Sequence, residues 1–225
     1  VVSFGLKNKG NIFLKSIKKE INKFIINVKI YKDEKVFYIK NINKNNLYNI
    51  LASISVIFSI GYVKNLKPFL FYEVLTPDGR GDISKIKFNN KIFYLIDESY
   101  NSNPMSMKSA ISNFDLVKVK KNKKHFLMGD MLELGKFSKK LHINLSKHIN
   151  SSSIDKFHVY GRFVKETYKK IKKIKRGNIF SEQHQINDLI VKELNNNDYL
   201  MIKGSNSTGL NKFVQKLKKN NLYAL

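Results

Sequence analysis

The sequence has no cysteine and no tryptophan, and its 225 residues include only three prolines and three arginines. Without cysteine, disulfides and thiolate metal sites are excluded, a composition compatible with a reducing cytoplasm. No apolar run reaches the roughly 18 residues of a membrane-spanning helix. The apolar stretch Ile50 to Tyr62 is too short and is interrupted by Ser53, Ser55 and Ser59. Acidic residues are also scarce: 42 Lys and Arg face 17 Asp and Glu, a formal charge of +25. A basic surface is the footprint of nucleic-acid binding. Bidentate readout of bases and phosphates prefers arginine, however, and the excess here is lysine. The lysines are spread along the chain in company with Asn and Ile, as codon drift toward A/T would produce. A solvated surface is therefore expected, not a nucleic-acid partner.

The remaining content, 42% hydrophobic, suffices for one large or two small domains with real cores. The chain opens at Val1 inside strand-like sequence and is expected to be a fragment. No basic stretch followed by an apolar segment opens it as a signal peptide would. The runs Asn11 to Ile17, Phe24 to Ile30 and Lys35 to Lys40 predict antiparallel strands, with a turn at Lys32-Asp33-Glu34. Leu47, Ile50, Leu51, Ile54 and Phe58 recur at spacings of three and four, so Asn43 to Gly61 predicts a helix stopped by Gly61. A second short helix is expected over Lys64 to Tyr72. The turn cluster Thr76-Pro77-Asp78-Gly79 marks a domain boundary, dividing residues 1–78 from 79–225.

Beyond that boundary a hairpin is expected from Asp82 to Ile96 around Asn89-Asn90, and then helices and strands alternate. The helices are Met105 to Val117, Lys139 to Ile149, Val164 to Ile171, Gln185 to Leu194 and Gly209 to Lys218. The strands between them are His125 to Met128, Phe157 to Tyr160, Asn178 to Phe180 and Tyr199 to Ile202. Such alternation predicts an α/β fold: a Rossmann-like, mostly parallel sheet with helices on both faces.

In such sheets ligands bind beyond the carboxyl ends of the strands. Four polar loops fall there: Asp97 to Pro104, Gly129 to Gly135, Gly161-Arg162 and Lys203 to Gly209. The last opens a helix, where free N–H groups and the dipole favour an anion or where Ser207 or Thr208 simply caps. It is not a Walker loop, because its lysine precedes the glycine. Asp97 and Glu98 are neighbours on a strand and point to opposite faces, which rules out a catalytic dyad; one is free to hold a ribose or hydroxyl while the other caps locally. His142 reads as a packing or surface histidine, and no transition-metal site is expected within the chain.

Gly79-Arg80-Gly81, the stretch Asp97 to Pro104 with Ser106-Met107, Gly129 to Gly135, His142 and Lys203-Gly204-Ser205 resemble, in order, the C-terminal motifs of the Mur ligase family. Asn45 to Asn49 resembles the end of that family's central domain. The Ser-Tyr-Asn-x-Asn-Pro stretch from Ser99 to Pro104 is similar to the member that joins D-alanyl-D-alanine to UDP-N-acetylmuramoyl-tripeptide. The resemblance implies that residues 1–78 are the end of an α/β ATP-binding central domain and 79–225 the C-terminal domain. It implies a cytoplasmic enzyme of peptidoglycan synthesis, serving cell shape and division, with ATP and Mg2+ as cofactors. The substrate carboxylate becomes an acyl phosphate that the dipeptide amine attacks. Catalysis then rests on positioning and charge neutralisation.

Carried over by resemblance, Arg80 and Lys203 are the catalytic residues. Asn46, Asn49, Arg80, Asp97 and Glu98 contact the nucleotide, and Tyr100, Asn101, Asn103, Lys203 and Ser205 contact the substrate. Asn45, Glu98 and Asn206 stand where the family usually carries histidine, aspartate and arginine. The family's phosphate loop, its main magnesium ligands and its UDP-binding domain are expected upstream, so the chain alone is expected to be an inactive monomer. Rival readings are a basic, non-catalytic binding module, a sister muramoyl or folate-type ligase, and a degraded remnant.

Overall fold

The computed structural model describes residues 1–7, 10–40, 42, 44–74 and 79–222; the side chains of residues 44, 45 and 220–222 lie outside that description. The expected turn at Thr76-Pro77-Asp78 and the side chain of Asn45 therefore fall outside the described residues. Two compact units divide the chain, Val1–Thr76 and Pro77–Leu225.

The first unit is a four-stranded sheet covered by one helix. Its strands are β1 (Phe4–Gly5), β2 (Ile12–Lys19), β3 (Phe24–Ile30) and β4 (Asp33–Ile39), in that spatial order. The β2–β3–β4 pairs are antiparallel, as expected, but β1 pairs parallel to β2. The turn between β3 and β4 falls at Tyr31-Lys32, beginning one residue earlier than expected. Ile30 pairs directly with Asp33, which forces a two-residue loop and puts Tyr31 at φ +53°. Helix α1 (Lys44–Ser59) buries Leu47, Ile50, Leu51 and Ile54 against Ile26, Val28, Ile30, Phe37 and Ile39. The helix expected over Lys64 to Tyr72 does not form. A single 3-10 turn, Val63–Asn65, is followed by turns. Pro68 disfavours helical backbone at Lys67, and its carbonyl instead accepts the Tyr38 N–H.

The second unit is a six-stranded sheet between two helical layers. Strands β5 (Asp82–Phe88), β6 (Lys91–Glu98), β7 (Lys124–Gly129), β8 (Lys156–Tyr160), β9 (Arg176–Phe180) and β10 (Tyr199–Lys203) lie in the order β5-β6-β10-β7-β8-β9. Only the β5–β6 hairpin is antiparallel, closing on Asn89 at φ +53°. Alternation along the strands builds two cores. Ile96, Phe126, Met128, Phe157, Val159 and Met201 face helices α2 (Pro104–Leu116), α3 (Ser138–Ser151) and α4 (Val164–Tyr168). Leu95, Leu127, Leu200 and Ile202 face α5 (Ile186–Asp188), which runs into a π-helical segment Leu189–Glu193, and α6 (Leu210–Leu222). The π turn, closed by Leu194 N–H to Leu189 O, lets Leu189, Ile190 and Leu194 all reach the core. Helix α4 stops three residues short of expectation. Its chain tightens into three-residue bonds from Lys170 and Ile171, which tuck Ile171 into the core.

Candidate functional site

The parallel strands all end at one edge of the sheet, and the polar loops identified in the sequence converge there. At the β6 end, Gly79 and Gly81 adopt φ +79° and +93°, conformations that favour glycine. Gly79 also lies against the Tyr100 backbone, where an added Cβ would sit 2.7 Å from the amide nitrogen. This packing ties the turn to the strand: the Gly81 N–H reaches Asp97 O (2.7 Å) and the Tyr100 N–H reaches Gly79 O (3.2 Å). The exposed Arg80 guanidinium is thereby held 4.6 Å above the Tyr100 ring.

Beneath this corner lies a set of charges. Asp97, expected among the nucleotide contacts, has no exposed surface: it accepts from the Ser99 N–H and hydroxyl (3.0 and 2.6 Å) and from Lys218 of α6 (2.6 Å). It anchors the strand end from inside and offers no surface to a ligand. Glu98, on the opposite face as alternation requires, keeps an exposed fraction of 19% for its side chain and lies 3.5 Å from Lys203 Nζ. Burial pushes the Glu98 carboxyl up, against the pull of Lys203. Burial also pushes the Lys203 ammonium down, opposed by Glu98. Lys203 donates to Asn101 O at 2.9 Å and so fixes the loop after β6. Asn103 is the N-cap of α2. Its side-chain oxygen accepts the Ser106 N–H (2.8 Å) while Ser106 Oγ accepts the Asn103 N–H (3.0 Å), a capping box completed by Pro104 in the first turn.

The β7 loop is organised by Asp130, whose role the sequence reading missed. Its carboxylate accepts the backbone N–H groups of Arg162 (2.9 Å) and Val164 (2.7 Å), capping the start of α4 from a different strand. Gly161, at φ +135°, leaves the room: a Cβ there would stand 2.6 Å from the carboxylate. His142 proves to be a packing histidine. Its Nε2 accepts the Met131 N–H (3.0 Å), so the ring proton lies on Nδ1, 2.7 Å from Ser138 O. Burial holds this imidazole below its usual pKa. Ser205 Oγ accepts the Leu132 N–H (2.9 Å) and donates to Ser102 O (3.3 Å), joining the loops after β6, β7 and β10. Gly129 and Gly204 permit this contact, since their backbones meet within about 3.3 Å of where side chains would stand.

Next to this knot opens a cavity of about 480 Å³, lined by Asp130, Leu132, Arg162, Lys165, Ser207 and Thr208 among others. That is the size of a small-molecule pocket, typically about 300–1,000 Å³. The Arg162 guanidinium has no ion-pair partner among the described residues, whereas the Asp130 carboxylate is tied to the backbone. The pocket is therefore cationic at its rim. Arg162 and Lys165 were absent from the expected set, although the loop Gly161-Arg162 was noted as polar. The signal available was a lone arginine after a strand in a chain with three.

In the second unit the structure thus brings together Arg80, Glu98, Tyr100, Asn101, Lys203 and Ser205. Asn46 and Asn49 lie on α1 of the first unit, Asn46 buried and Asn49 exposed. No group of three or more carboxylate or imidazole side chains suited to a metal ion occurs among the described residues.

A family profile described as "Mur ligase, glutamate ligase domain" matches residues 84–206, more than half of the chain. The chain belongs to the Mur ligase family. Among curated Mur ligases, the UDP-N-acetylmuramoyl-tripeptide–D-alanyl-D-alanine ligase of Rickettsia prowazekii is 26% identical over 218 residues, 95% of this chain and 46% of that protein. The enzyme of the same name from Buchnera aphidicola is 35% identical over 138 residues, 58% of this chain and 27% of that protein. This Mur ligase chain thus spans about half the length of the curated relatives it matches, or less. In fold it is similar to the MurF ligase of Thermotoga maritima in complex with ADP (TM-score 0.72, 20% identity, covering 100% of this chain and 49% of that one). It is likewise similar to MurF from Acinetobacter baumannii (TM-score 0.71, 19% identity, 97% and 47%).

Proposed function

We propose that this chain supplies the C-terminal half of a cytoplasmic, ATP-dependent ligase that adds D-alanyl-D-alanine to UDP-N-acetylmuramoyl-tripeptide. In this reading residues 1–78 are the end of the ATP-binding central domain and residues 79–225 the C-terminal domain. The observation that carries the reading is the pairing, on one sheet edge, of an arginine held over an aromatic ring with a cationic pocket of small-molecule size.

The two features divide the work. Arg80, presented by Gly79 and Gly81, neutralises nucleotide phosphate charge, and Glu98 meets the ribose or adjacent groups. Asp97 supports them from below through Ser99 and Lys218. Lys203 positions the Asn101 loop beside the reacting carboxylate and adds positive charge where the acyl phosphate forms. Tyr100, Asn101 and Asn103 shape the acceptor side, and Ser205 locks its floor. The pocket takes the dipeptide, with the dipeptide carboxylate on Arg162 and Lys165 and its amine directed toward the strand ends. Bound this way the amine is aimed at the acyl carbon, and phosphate leaves as the amide forms. The magnesium that accompanies ATP in this family finds no cluster of three or more carboxylate or imidazole side chains among the described residues.

The test is ADP formation from ATP in the presence of both peptide substrates. The chain alone, as a monomer, is expected to be inactive. A complete enzyme in which this chain forms the C-terminal half is expected to release ADP only when D-alanyl-D-alanine is present. Arg162→Ala there should raise KM for the dipeptide by about tenfold or more, the loss of one charge-assisted hydrogen bond. An unchanged KM would remove the dipeptide from the pocket.

A further inference from the structure

The opposite edge of the second unit's sheet, where the parallel strands begin, carries two clusters of exposed lysines. Residues 118–123, leading into β7, hold four exposed lysines, and residues 169–173, before β9, hold four more. The two segments flank the turn that precedes β8. Lys124 reaches into that turn at Ser153 Oγ (2.8 Å), and Lys175 donates to Ile154 O (2.8 Å). The Lys172 N–H is held by Asn150 Oδ1 (2.9 Å). These inward bonds fix the backbone of both segments and leave the eight exposed ammonium groups turned outward. Of the eight, Lys169 pairs with Glu166; the other seven have no ion-pair partner among the described residues. The eight exposed lysines outnumber the carboxylates bound into this edge, Asp115, Asp155 and Asp198, the last accepting the Lys123 N–H at 2.7 Å. Asp115 is bound to the Ser153 N–H and Asp155 to the Lys124 N–H.

Two aliphatic side chains stand out of the same edge. Leu116, at the end of α2, is 78% exposed, and Ile174, between Lys173 and Lys175, is 80% exposed. Residues 116–123 and 169–175 contain no aromatic side chain. The edge's single arginine, Arg176, is turned inward onto the carbonyls of Ile171 and Lys169. A single-stranded nucleic acid would be met by stacking aromatics and arginine forks. Lysine clusters with protruding aliphatics fit a different partner: ammonium groups are drawn to an anionic lipid surface, and Leu and Ile enter its interfacial layer.

We infer that this edge, Leu116 to Lys123 together with Lys169 to Ile174, docks the protein on an anionic membrane surface. The docked orientation leaves the carboxyl edge of the sheet, with Arg80 and the Arg162 pocket, facing away from the lipid. Most of the +25 charge remains ordinary solvated surface; the docking claim concerns the eight lysines of this edge.

The test is co-sedimentation of the 225-residue chain with vesicles of phosphatidylcholine containing phosphatidylglycerol, against phosphatidylcholine alone, at low and physiological salt. Binding is expected to the anionic vesicles only and to weaken with salt. The quadruple variant Lys120→Ser, Lys121→Ser, Lys172→Ser, Lys173→Ser should lower partitioning by roughly a hundredfold or more, at about fivefold per lysine. A control with equal charge loss elsewhere, Lys85→Ser, Lys108→Ser, Lys136→Ser, Lys140→Ser, should lower it by less than about fivefold. The pair Leu116→Ser, Ile174→Ser should weaken binding severalfold at both salt concentrations. All substituted residues except Ile174 and Leu116 are solvated lysines, and circular dichroism checks each fold. Equal losses in the two quadruple variants would reduce the effect to diffuse charge and overturn the proposal. So would absence of vesicle binding, or a single-stranded oligonucleotide displacing the vesicles through the same lysines.

Discussion

Replacing Asp130 by alanine should unfasten α4 from the sheet edge and destabilise the second unit measurably. The carboxylate is 9% exposed and receives two N–H groups, Val164 at 2.7 Å and Arg162 at 2.9 Å. Hydrogen bonds to a charged acceptor contribute about 1.5–3 kcal/mol each, and a buried donor left unpaired costs about 1–3 kcal/mol. The Arg162 N–H borders the pocket, where water can replace the lost acceptor. Val164 is fully buried, so its N–H stays orphaned. The sum is about 2–4 kcal/mol for Asp130→Ala. Asp130→Asn keeps one oxygen for Val164 but sets its amide against the Arg162 N–H, giving about 1–2 kcal/mol. Urea denaturation followed by circular dichroism reads both: the midpoint should fall in the order wild type, Asn, Ala, with an unchanged slope. An alanine variant within about 0.5 kcal/mol of wild type would refute the claim that this carboxylate holds the β7 and β8 loops together.

Other outcomes follow from neighbouring geometry. Lys218→Met leaves the Asp97 carboxylate, which has no exposed surface, without its partner at 2.6 Å, and should cost about 2–4 kcal/mol in the same denaturation assay. Gly79→Ala drives a Cβ against Tyr100 and strains a residue at φ +79°; a loss of about 1–3 kcal/mol is expected, with a raised KM for ATP in the complete ligase. Acid should destabilise the chain through its buried histidines. His158 accepts the Asn178 N–H at Nδ1 (3.0 Å), so its proton is on Nε2, directed at His125 Nδ1 (3.1 Å). Burial, reinforced by the neighbouring His125, pushes His158 down to about 3. A histidine depressed in the folded state is neutral there while the unfolded chain takes up protons below about pH 6.5, so stability is lost as pH falls from 6.5 toward 3. By pH 4.5 the loss from His158 alone is about 2–3 kcal/mol, to be read as a lower urea midpoint than at pH 7; an unchanged midpoint would contradict it.

The β/α alternation was legible because each strand is a short apolar run whose neighbours alternate between two cores, and each helix repeats at three and four. Leu127 beside Phe126 and Met128 is such a pattern, and it survives without knowledge of partners. What depended on partners was not legible. Asp130 looks in the sequence like one acid in a glycine-bearing loop; its meaning comes from the Arg162 and Val164 N–H groups more than thirty residues on. Asp97 and Glu98 were separable by strand alternation, but the burial of Asp97 depends on Lys218, contributed by the last helix. Asn103 shows the reverse: Asn-Pro-x-Ser is a capping signature that sequence alone carries, and its side-chain oxygen does cap. The missing helix before Tyr72 was also foreseeable, since Pro68 sits within it. The parallel pairing of β1 and the π turn at Leu189–Glu193 left no local mark, because both answer to packing.

In the proposed function the second unit presents a nucleotide corner at Gly79–Tyr100 and a dipeptide pocket at Arg162. The most direct measurement is amide chemical-shift mapping of the isotopically labelled chain titrated with ADP and, separately, with D-alanyl-D-alanine. ADP is expected to shift Gly79, Gly81 and Tyr100, and the dipeptide Gly161, Ser207 and Thr208. The dipeptide shifts should vanish in Arg162→Ala while those from ADP remain. Dipeptide shifts that persist in Arg162→Ala, or that fall at the ADP corner instead of the pocket, would contradict it.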